Sequence, residues 1–564
     1  MKQLFTILLS FTAAFTMAQQ PNFEWAKSMG DTDSDEGLSI TTDGSGNVYT
    51  TGFFQGTADF DPGAGVTNLT SAGNSDIYIQ KLDANGNFIW AKSMGGINHD
   101  YGLFITTDGS GNVYTTGFFQ DTADFDPGAG VTHLTSAGIY DIFIQKLDAN
   151  GNFVWAKSMG GIGEDMGRSI TTDGSGNVYA TGSFSNTVDL DPGAGVTNFT
   201  SAGFSDIYIQ KLDANGNFVW AKSMGSISND YGNSKTTDGS GNVYTTGFFQ
   251  GTADLDPGAG VTNFTSAGYA DIYIQKLNTN GNFIWAKSMG GTSIDYGYSI
   301  TTDDSGCVYT TGSFKKTGDF DPGAGVTNLT SVGITDIYIQ KLNTNGNFIW
   351  AKSMGGTSSD YGYSITTDDS GCVYTTGRFK NTVDFDPGAG VTNLTSVGNT
   401  DIYIQKLDAN GKLIWVRSMG GTDNDQGRSI TIDGSGNVYT TGRFKNTVDF
   451  DPGAALTNLS SAGIYDIYIQ KLCQSSGVGI RENRQLNITQ VFPNPTNGVF
   501  SIEFNAPQEM IELKLLDASG KLIDNKTYYH DDVIVYELNQ PQGIYFIELS
   551  NQNNLHSIVR LIRQ

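Results

Sequence analysis

DIYIQKLDANGNFIWAKSMGGINHDYGLFITTDGSGNVYTTGFF, Asp76 to Phe119, decides the fold. It recurs with its tryptophan at Trp25, Trp90, Trp155, Trp220, Trp285, Trp350 and Trp415, always 65 residues apart. A fixed period without insertions marks a repeat architecture. Each copy holds four strand signals: Ser39–Asp43, Asn47–Phe54, Asp76–Leu82 and Phe88–Met94. DGSGN (Asp43–Asn47) and DANGN (Asp83–Asn87) join them as tight turns, where glycine supplies the positive φ of a short hairpin. The strands lack a clean polar face, so both sides of each sheet need cover, as in stacked blades.

The ends of the array argue for a ring. Residues 22–29 (NFEWAKSM) are a fourth strand with no unit before them, and residues 466–472 (DIYIQKL) a third strand with no fourth after them. Pairing the two would complete a last blade and remove the open edges of a solenoid. The expected fold is all-β: a closed seven-bladed propeller of four-stranded blades, followed by a small β-sandwich domain. The fourth-to-first connection (Ser93–Gly102) and the second-to-third connection (Gln55–Ser75) should share one face. Within the latter, Ala58–Asp61 and Val66–Thr70 alternate around Asp61-Pro62-Gly63, which predicts a small protruding hairpin.

The net charge is −26, and Lys and Arg are sparse in the repeats. That excludes a nucleic-acid partner, whose phosphates need cationic neutralisation. It fits a solvated acidic face or cation binding. Residues 1–18 read as a secretory signal: Lys2, an apolar run Leu4–Phe15, and Thr16-Met17-Ala18 before the cut. No segment has transmembrane length. The cysteines, Cys307, Cys372 and Cys473, are read as free thiols: the first two occupy equivalent positions of adjacent repeats. The chain is read as a monomer.

The unit GNVYTTG…DIYIQKLDANGNFIWAKSMGG resembles the SBBP family of β-propeller repeats. The resemblance implies the propeller fold and brings no settled activity. After Leu472 the pattern stops. Residues 474–490 read as a linker, and residues 491–564 resemble the type A C-terminal sorting domain of type IX secretion. The matching residues are PNPTNG (Pro493–Gly498), the Asp517–Gly520 turn and the Gly543-Ile544-Tyr545-Phe546 strand. That resemblance implies docking on the type IX machinery, then release or attachment at the outer surface of a diderm bacterium. The domains are thus 1–18 signal, 19–473 propeller, 474–490 linker and 491–564 sorting domain.

Carboxylates recur on the long-loop face. Asp35 has copies at Asp100, Asp165, Asp230, Asp295, Asp360 and Asp425; Asp59 and Asp61 recur from Asp124 and Asp126 to Asp449 and Asp451. Clustered hard oxygens suit calcium, and DTDSDEG (Asp31–Gly37) resembles the start of a calcium loop but lacks its bidentate glutamate. The alternative is that these aspartates cap turns. No other cofactor is expected. The tryptophans read as packing between blades, with sugar stacking as the alternative. Catalysis has little support. The histidines are His99, His133, His530 and His556, and they form no triad or zinc motif. A carboxylate pair for glycoside cleavage stays open. An active site should break the symmetry. Lys235, where other copies have isoleucine, does so most clearly, and a buried lysine is costly unless paired or channel-facing. Copies also differ at residues 97–99, 118–121 and 139–140 and their counterparts, beside the long connections. That pattern suits a binding scaffold for a glycan, matrix or protein ligand. A propeller-fold carbohydrate-active enzyme and a structural surface-layer component are the alternatives.

Overall fold

Alternating apolar residues and glycine turns give each 65-residue unit the same strands in the computed structural model, which describes residues 20–453, 455–474, 488–517, 521–551 and 556–564. The proposed signal and most of the proposed linker lie outside the described residues. The chain separates into two compact units, Met1–Ser475 and Ser476–Gln564.

In the first unit, strand β1 is Asn22–Met29, β2 Glu36–Thr42, β3 Val48–Phe54, β4 Thr57–Asp59, β5 Asn68–Thr70, β6 Asp76–Leu82 and β7 Phe88–Gly96. Strands β2, β3, β6 and β7 form an antiparallel meander with partners such as Thr51 and Ile79, or Ile79 and Lys92. Strands β3 and β6 are buried along their whole length, which explains their two apolar faces. At the turn between β2 and β3, Asp43 Oδ1 accepts the amides of Ser45 and Asn47, both at 2.9 Å, and Tyr49 donates its hydroxyl to Oδ2 at 3.0 Å. The aspartate therefore shapes the turn.

The hydrophobic clusters lie between consecutive repeats. One joins Tyr49, Ile77 and Met94 to Ile105, Val113 and Phe143 of the next unit. A single repeat thus cannot bury its apolar surface alone. Trp90 spans the same seam. Its ring stands edge-on to Tyr49 at 6.2 Å, and its Nε1 donates to the Ala149 carbonyl at 3.4 Å. Lys81 Nζ donates to that carbonyl from 4.9 Å above the Tyr49 ring. Gly151 packs so closely on Trp90 that a Cβ would lie 3.0 Å from the indole. These positions serve packing.

The ends of the array meet. Strand β1 pairs antiparallel with Asp466–Cys473, with Ser28 opposite Tyr468 and Trp25 opposite Lys471. Trp25 donates to Ala84 O at 3.3 Å and stands edge-on to Tyr439. Ile105 N donates to Ser39 Oγ at 3.2 Å, and Ile40 N donates to Ser429 Oγ at the same distance.

The β4–β5 hairpin exists, with Ala58 opposite Leu69, but it does not protrude. The equivalent Ala123 and Asp124 pair with Gly96 and Gly95 at the end of β7, so the hairpin extends the preceding repeat's sheet. Its Ala58 and Phe60 are fully buried, Phe60 lying 4.9 Å from Tyr78. Gln80 Nε2 donates to Phe60 O at 2.6 Å. The alternation that forecast the hairpin was also the signature of a buried face, and that face lies in the seam between its own repeat and the preceding one.

The second unit is all-β. Val499–Leu516 runs through its centre, pairing with Ile488–Phe492 at one end, Gly543–Asn551 at the other and Leu522–Glu537 along its flank. His556–Arg563 completes the sheet. Its core includes Phe500, Ile502, Leu513, Ile534 and Ile547. Where two separate sheets were expected, one long strand is common to both halves, with a register break between Glu503 and Gln508. Among the described residues no helix is long and apolar enough to cross a membrane.

Candidate functional site: an arginine–tyrosine belt on the inner strands

Most strand positions repeat with little change, but three on the inner edge do not. They are the equivalents of Glu36, Leu38 and Phe53. At the Leu38 position stand Leu103, Arg168, Asn233, Tyr298, Tyr363 and Arg428. A bulge after Gly37 and its copies sets these side chains beside those of the neighbouring repeats.

The result is a chain of contacts from unit to unit. Glu36 is buried, and its two oxygens accept Arg428 Nε at 2.5 Å and Arg443 Nη1 at 3.1 Å. The Arg428 guanidinium lies 5.0 Å from the Tyr363 ring centre. Tyr363 stacks parallel to Tyr361 at 5.8 Å, and Arg378 covers both, at 4.7 Å from Tyr361 and 6.0 Å from Tyr363. Tyr298 lies 5.6 Å from Tyr363, and Phe248 links Tyr296 to Tyr231. Arg168 sits 5.0 Å above Tyr231. Across from these, Phe53 stacks on Tyr101 at 4.2 Å.

The charge is uneven. Glu36 engages Arg428 and Arg443, whereas neither Arg168 nor Arg378 pairs with a carboxylate among the described residues, and the Nε of each lacks an acceptor. Burial pulls Arg168 below its ordinary value. For Arg428 burial pulls the same way, but Glu36 together with Tyr363 and Tyr298 outweighs it and the net displacement is upward. Burial holds the Tyr298 and Tyr363 hydroxyls above the usual phenol range, so they stay neutral donors. Just past the second strand, Lys315, Lys316, Lys380 and Lys445 occupy places held by Gln55, Gly56, Gln120 and Gln250 in other copies. The basic groups therefore gather in the fifth to seventh repeats. The divergence at residues 118–121 already pointed there; the divergence at Glu36 and Leu38 was legible too, but lay inside a strand that otherwise reads as core.

The aspartates singled out as calcium candidates are used by the backbone. Asp35 is fully buried and accepts Gln55 N on Oδ1 and Asp31 N on Oδ2, both at 2.9 Å. Asp59 Oδ1 accepts the amides of Asp61 and Thr67, and Asp61 Oδ1 accepts Gly63 N. The same bonds recur at Asp100, Asp124 and Asp126. Among the described residues no group of three or more metal-ligating side chains converges.

Beside each copy of Asp35 lies a carboxylate that the sequence reading passed over, at the start of the third strand. A Cβ on Gly290 would lie 3.0 Å from Asp271 Oδ1 and 2.9 Å from Asp295 Oδ2, so the two carboxylates converge on one glycine. Asp466 and Asp35 do the same at Gly30. Burial raises Asp35 and Asp76 to about 7, and Asp100, Asp271 and Asp466 to about 6. Asp76 Oδ2 accepts Ala72 N at 3.0 Å, while its Oδ1 has no partner.

Lys235 is 4% exposed, and its Nζ has no partner. It stands where Ile40 and Ile170 enter the seam clusters, so it faces apolar packing. His99 makes a local contact with Ser75. His530 and His556 are not described at the side-chain level. The three cysteines are free.

The molecule belongs, by its architecture, among all-β repeat proteins with propeller-like four-stranded sheets. Comparisons with known proteins make this more specific. Residues 414–443 match the model of a β-propeller repeat, and residues 490–564 match that of a secretion system C-terminal sorting domain. The chain thus carries SBBP-type repeats followed by a type IX sorting domain, which directs it out of the cell to the outer surface of a diderm bacterium. It is 24% identical over 498 residues to an uncharacterized WD repeat-containing protein of Acanthamoeba polyphaga mimivirus, covering 74% of this chain and 36% of that protein. It is 26% identical over 172 residues to the regulatory protein FlaEY of Caulobacter vibrioides, covering 30% and 18%. The chain therefore spans well under half the length of either relative. Latent PorU from Porphyromonas gingivalis aligns over 64% of this chain and 31% of that one at 11% identity, with a TM-score of 0.12, too low to carry an argument.

Proposed function

We propose that this chain is an exported binding protein. Its residues 19–473 form a closed seven-bladed propeller, and its long-loop face engages a glycan, matrix or protein ligand outside the cell. Residues 1–18 are the signal, 474–490 the linker, and 491–564 the part that docks on the type IX machinery. The mature protein acts as a monomer and takes no nucleic acid.

One observation carries this reading: the inner-strand belt is where otherwise near-identical copies diverge, and it gathers unlike polar and aromatic groups. In a closed ring that belt would line the mouth of the axial opening. Glu36 favours binding over hydrolysis, because both its oxygens are held by arginines and neither is free to move a proton. A panel of immobilised extracellular glycans, probed with the mature protein, tests the reading in its glycan form. Binding that Tyr363→Ala abolishes is expected; binding that this variant leaves intact would move the ligand off the belt.

A further inference from the structure

The belt has a polarity that the general reading does not use. The chain carries a net charge of −26, yet the fifth to seventh repeats place Arg378, Arg428, Arg443, Lys315, Lys380 and Lys445 around one end of the inner strands. Elsewhere the same positions are neutral or apolar, as at Leu38, Phe53 and Gln55, except for Arg168 in the third repeat. A solvated surface would scatter such charges; here the guanidinium groups are half-buried on a scaffold of rings. Arg428 and Arg443 are spent on Glu36, but Arg378 is not. It lies over two tyrosines, and its Nε has no acceptor. Of the carboxylates near it, Asp360 already accepts Gly356 N at 2.9 Å and Lys380 N at 2.9 Å. Lys445 reaches Asp423 only at 3.9 Å, and Lys315 and Lys380 have no ion-pair partner among the described residues.

Resting on that reading, we propose that this sector binds the acidic end of a saccharide: a pyranose carrying a carboxylate or sulfate. Arg378, with the adjacent Lys380, takes the anionic group, and Tyr361 and Tyr363, whose faces Arg378 and Arg428 already cover, border the sugar ring with their edges and hydroxyls. A guanidinium fork matches the paired oxygens of such groups. A tyrosine ring beside it offers apolar area with a hydroxyl at its edge. The acidic remainder of the chain repels a long polyanion, so the ligand enters by one end and contributes few charges.

Titration calorimetry with the full mature chain tests this. The probes are trigalacturonate, its methyl ester, a sulfated galactose disaccharide, and acetate and sulfate ions alone. Trigalacturonate or the sulfated sugar should bind, the ester and free ions at least about tenfold more weakly, and binding should weaken with added salt. Arg378→Gln and the more peripheral Lys380→Gln should each lower the affinity by about three- to tenfold with the melting temperature unchanged. Response to the carboxylated sugar alone or the sulfated sugar alone assigns the anion and supports the proposal. Equal binding of the ester, or wild-type affinity in both variants, overturns it. Neutral glycans bound on the immobilised panel with no acidic sugar bound would overturn the proposal while leaving the general binding role standing; no glycan bound in any format overturns the proposal and the glycan form of that role together.

Discussion

At the residue scale, Lys235 separates what a sequence shows from what only a fold shows. Its oddity was visible as a lysine in a column of isoleucines. Its surroundings were not, because strand alternation alone does not say whether a first-strand side chain faces the axis or the seam. The seam it enters holds Tyr179, Ile207, Met224 and Val243. Burial lowers its pKa well below the ordinary lysine value. An amine without a partner costs about 1–3 kcal/mol there. Lys235→Ile is therefore expected to raise the midpoint of thermal unfolding, and Lys235→Met to do so less; a scanning calorimetry trace in which either variant melts below wild type would show a partner for the amine. Arg168 could be noticed by comparing copies in the same way. Its contact with Tyr231 could not, since the two lie in adjacent repeats and meet only because neighbouring first strands run side by side.

At the scale of elements, the strands and tight turns were legible because their signals are local. Glycine at the positive-φ corner of each turn, such as Gly86 at φ 77°, and the capping carboxylate of Asp83 act within five residues. The destination of the β4–β5 hairpin is a long-range fact. In the next copy the pairing partner of Ala123 and Asp124, the end of the preceding unit's fourth strand, is Gly95-Gly96, which reads as a loop until the neighbouring strand is in place. A Cβ on Gly96 would lie 2.3 Å from Thr122 O, so close pairing of the backbones explains the glycine. Two predictions belong here. Phe60→Ala removes a fully buried ring and should cost about 3–5 kcal/mol of stability, measured as a fall in the denaturant midpoint. Deleting residues 19–30 removes β1 and with it the partner of Asp466–Cys473, exposing a fully buried strand edge and one seam cluster. The melting temperature should drop sharply and the variant should self-associate through that edge; an unchanged melt with a monomeric profile would refute closure by β1.

At the scale of the whole molecule, the repeat multiplies one electrostatic feature. Each seam carries a buried aspartate pair, such as Asp271 with Asp295 or Asp35 with Asp466, and burial raises the members to about 6 or 7 where values are resolved that far. Nearby charges modulate single copies without cancelling the pattern: Lys315 pulls Asp295 down and Arg378 pulls Asp360 down, while Asp31, Asp121, Glu164 and Asp423 push Asp35, Asp100, Asp165 and Asp425 up. An unfolded aspartate holds its proton only below about 3.9. Between that value and about 6 to 7 the folded chain therefore binds more protons than the unfolded one, and stability falls as pH rises through this window. The turn aspartates act in a different range. Asp43, Asp108 and Asp173 are lowered on balance, because their hydrogen bonds outweigh burial, so their contribution is lost only as pH falls below the ordinary carboxylate value. The melting temperature should thus be higher at pH 5 than at pH 8. Since seven of the fourteen paired members are Asp76, Asp141, Asp206, Asp271, Asp336, Asp401 and Asp466 at third-strand starts, replacing Asp76 and Asp206 by asparagine should flatten the slope. The amide carries no titrating proton, so it cannot take part in the linkage. A melting temperature that rises from pH 5 to pH 8, or a slope that the double variant leaves unchanged, would place the pH response elsewhere in the molecule.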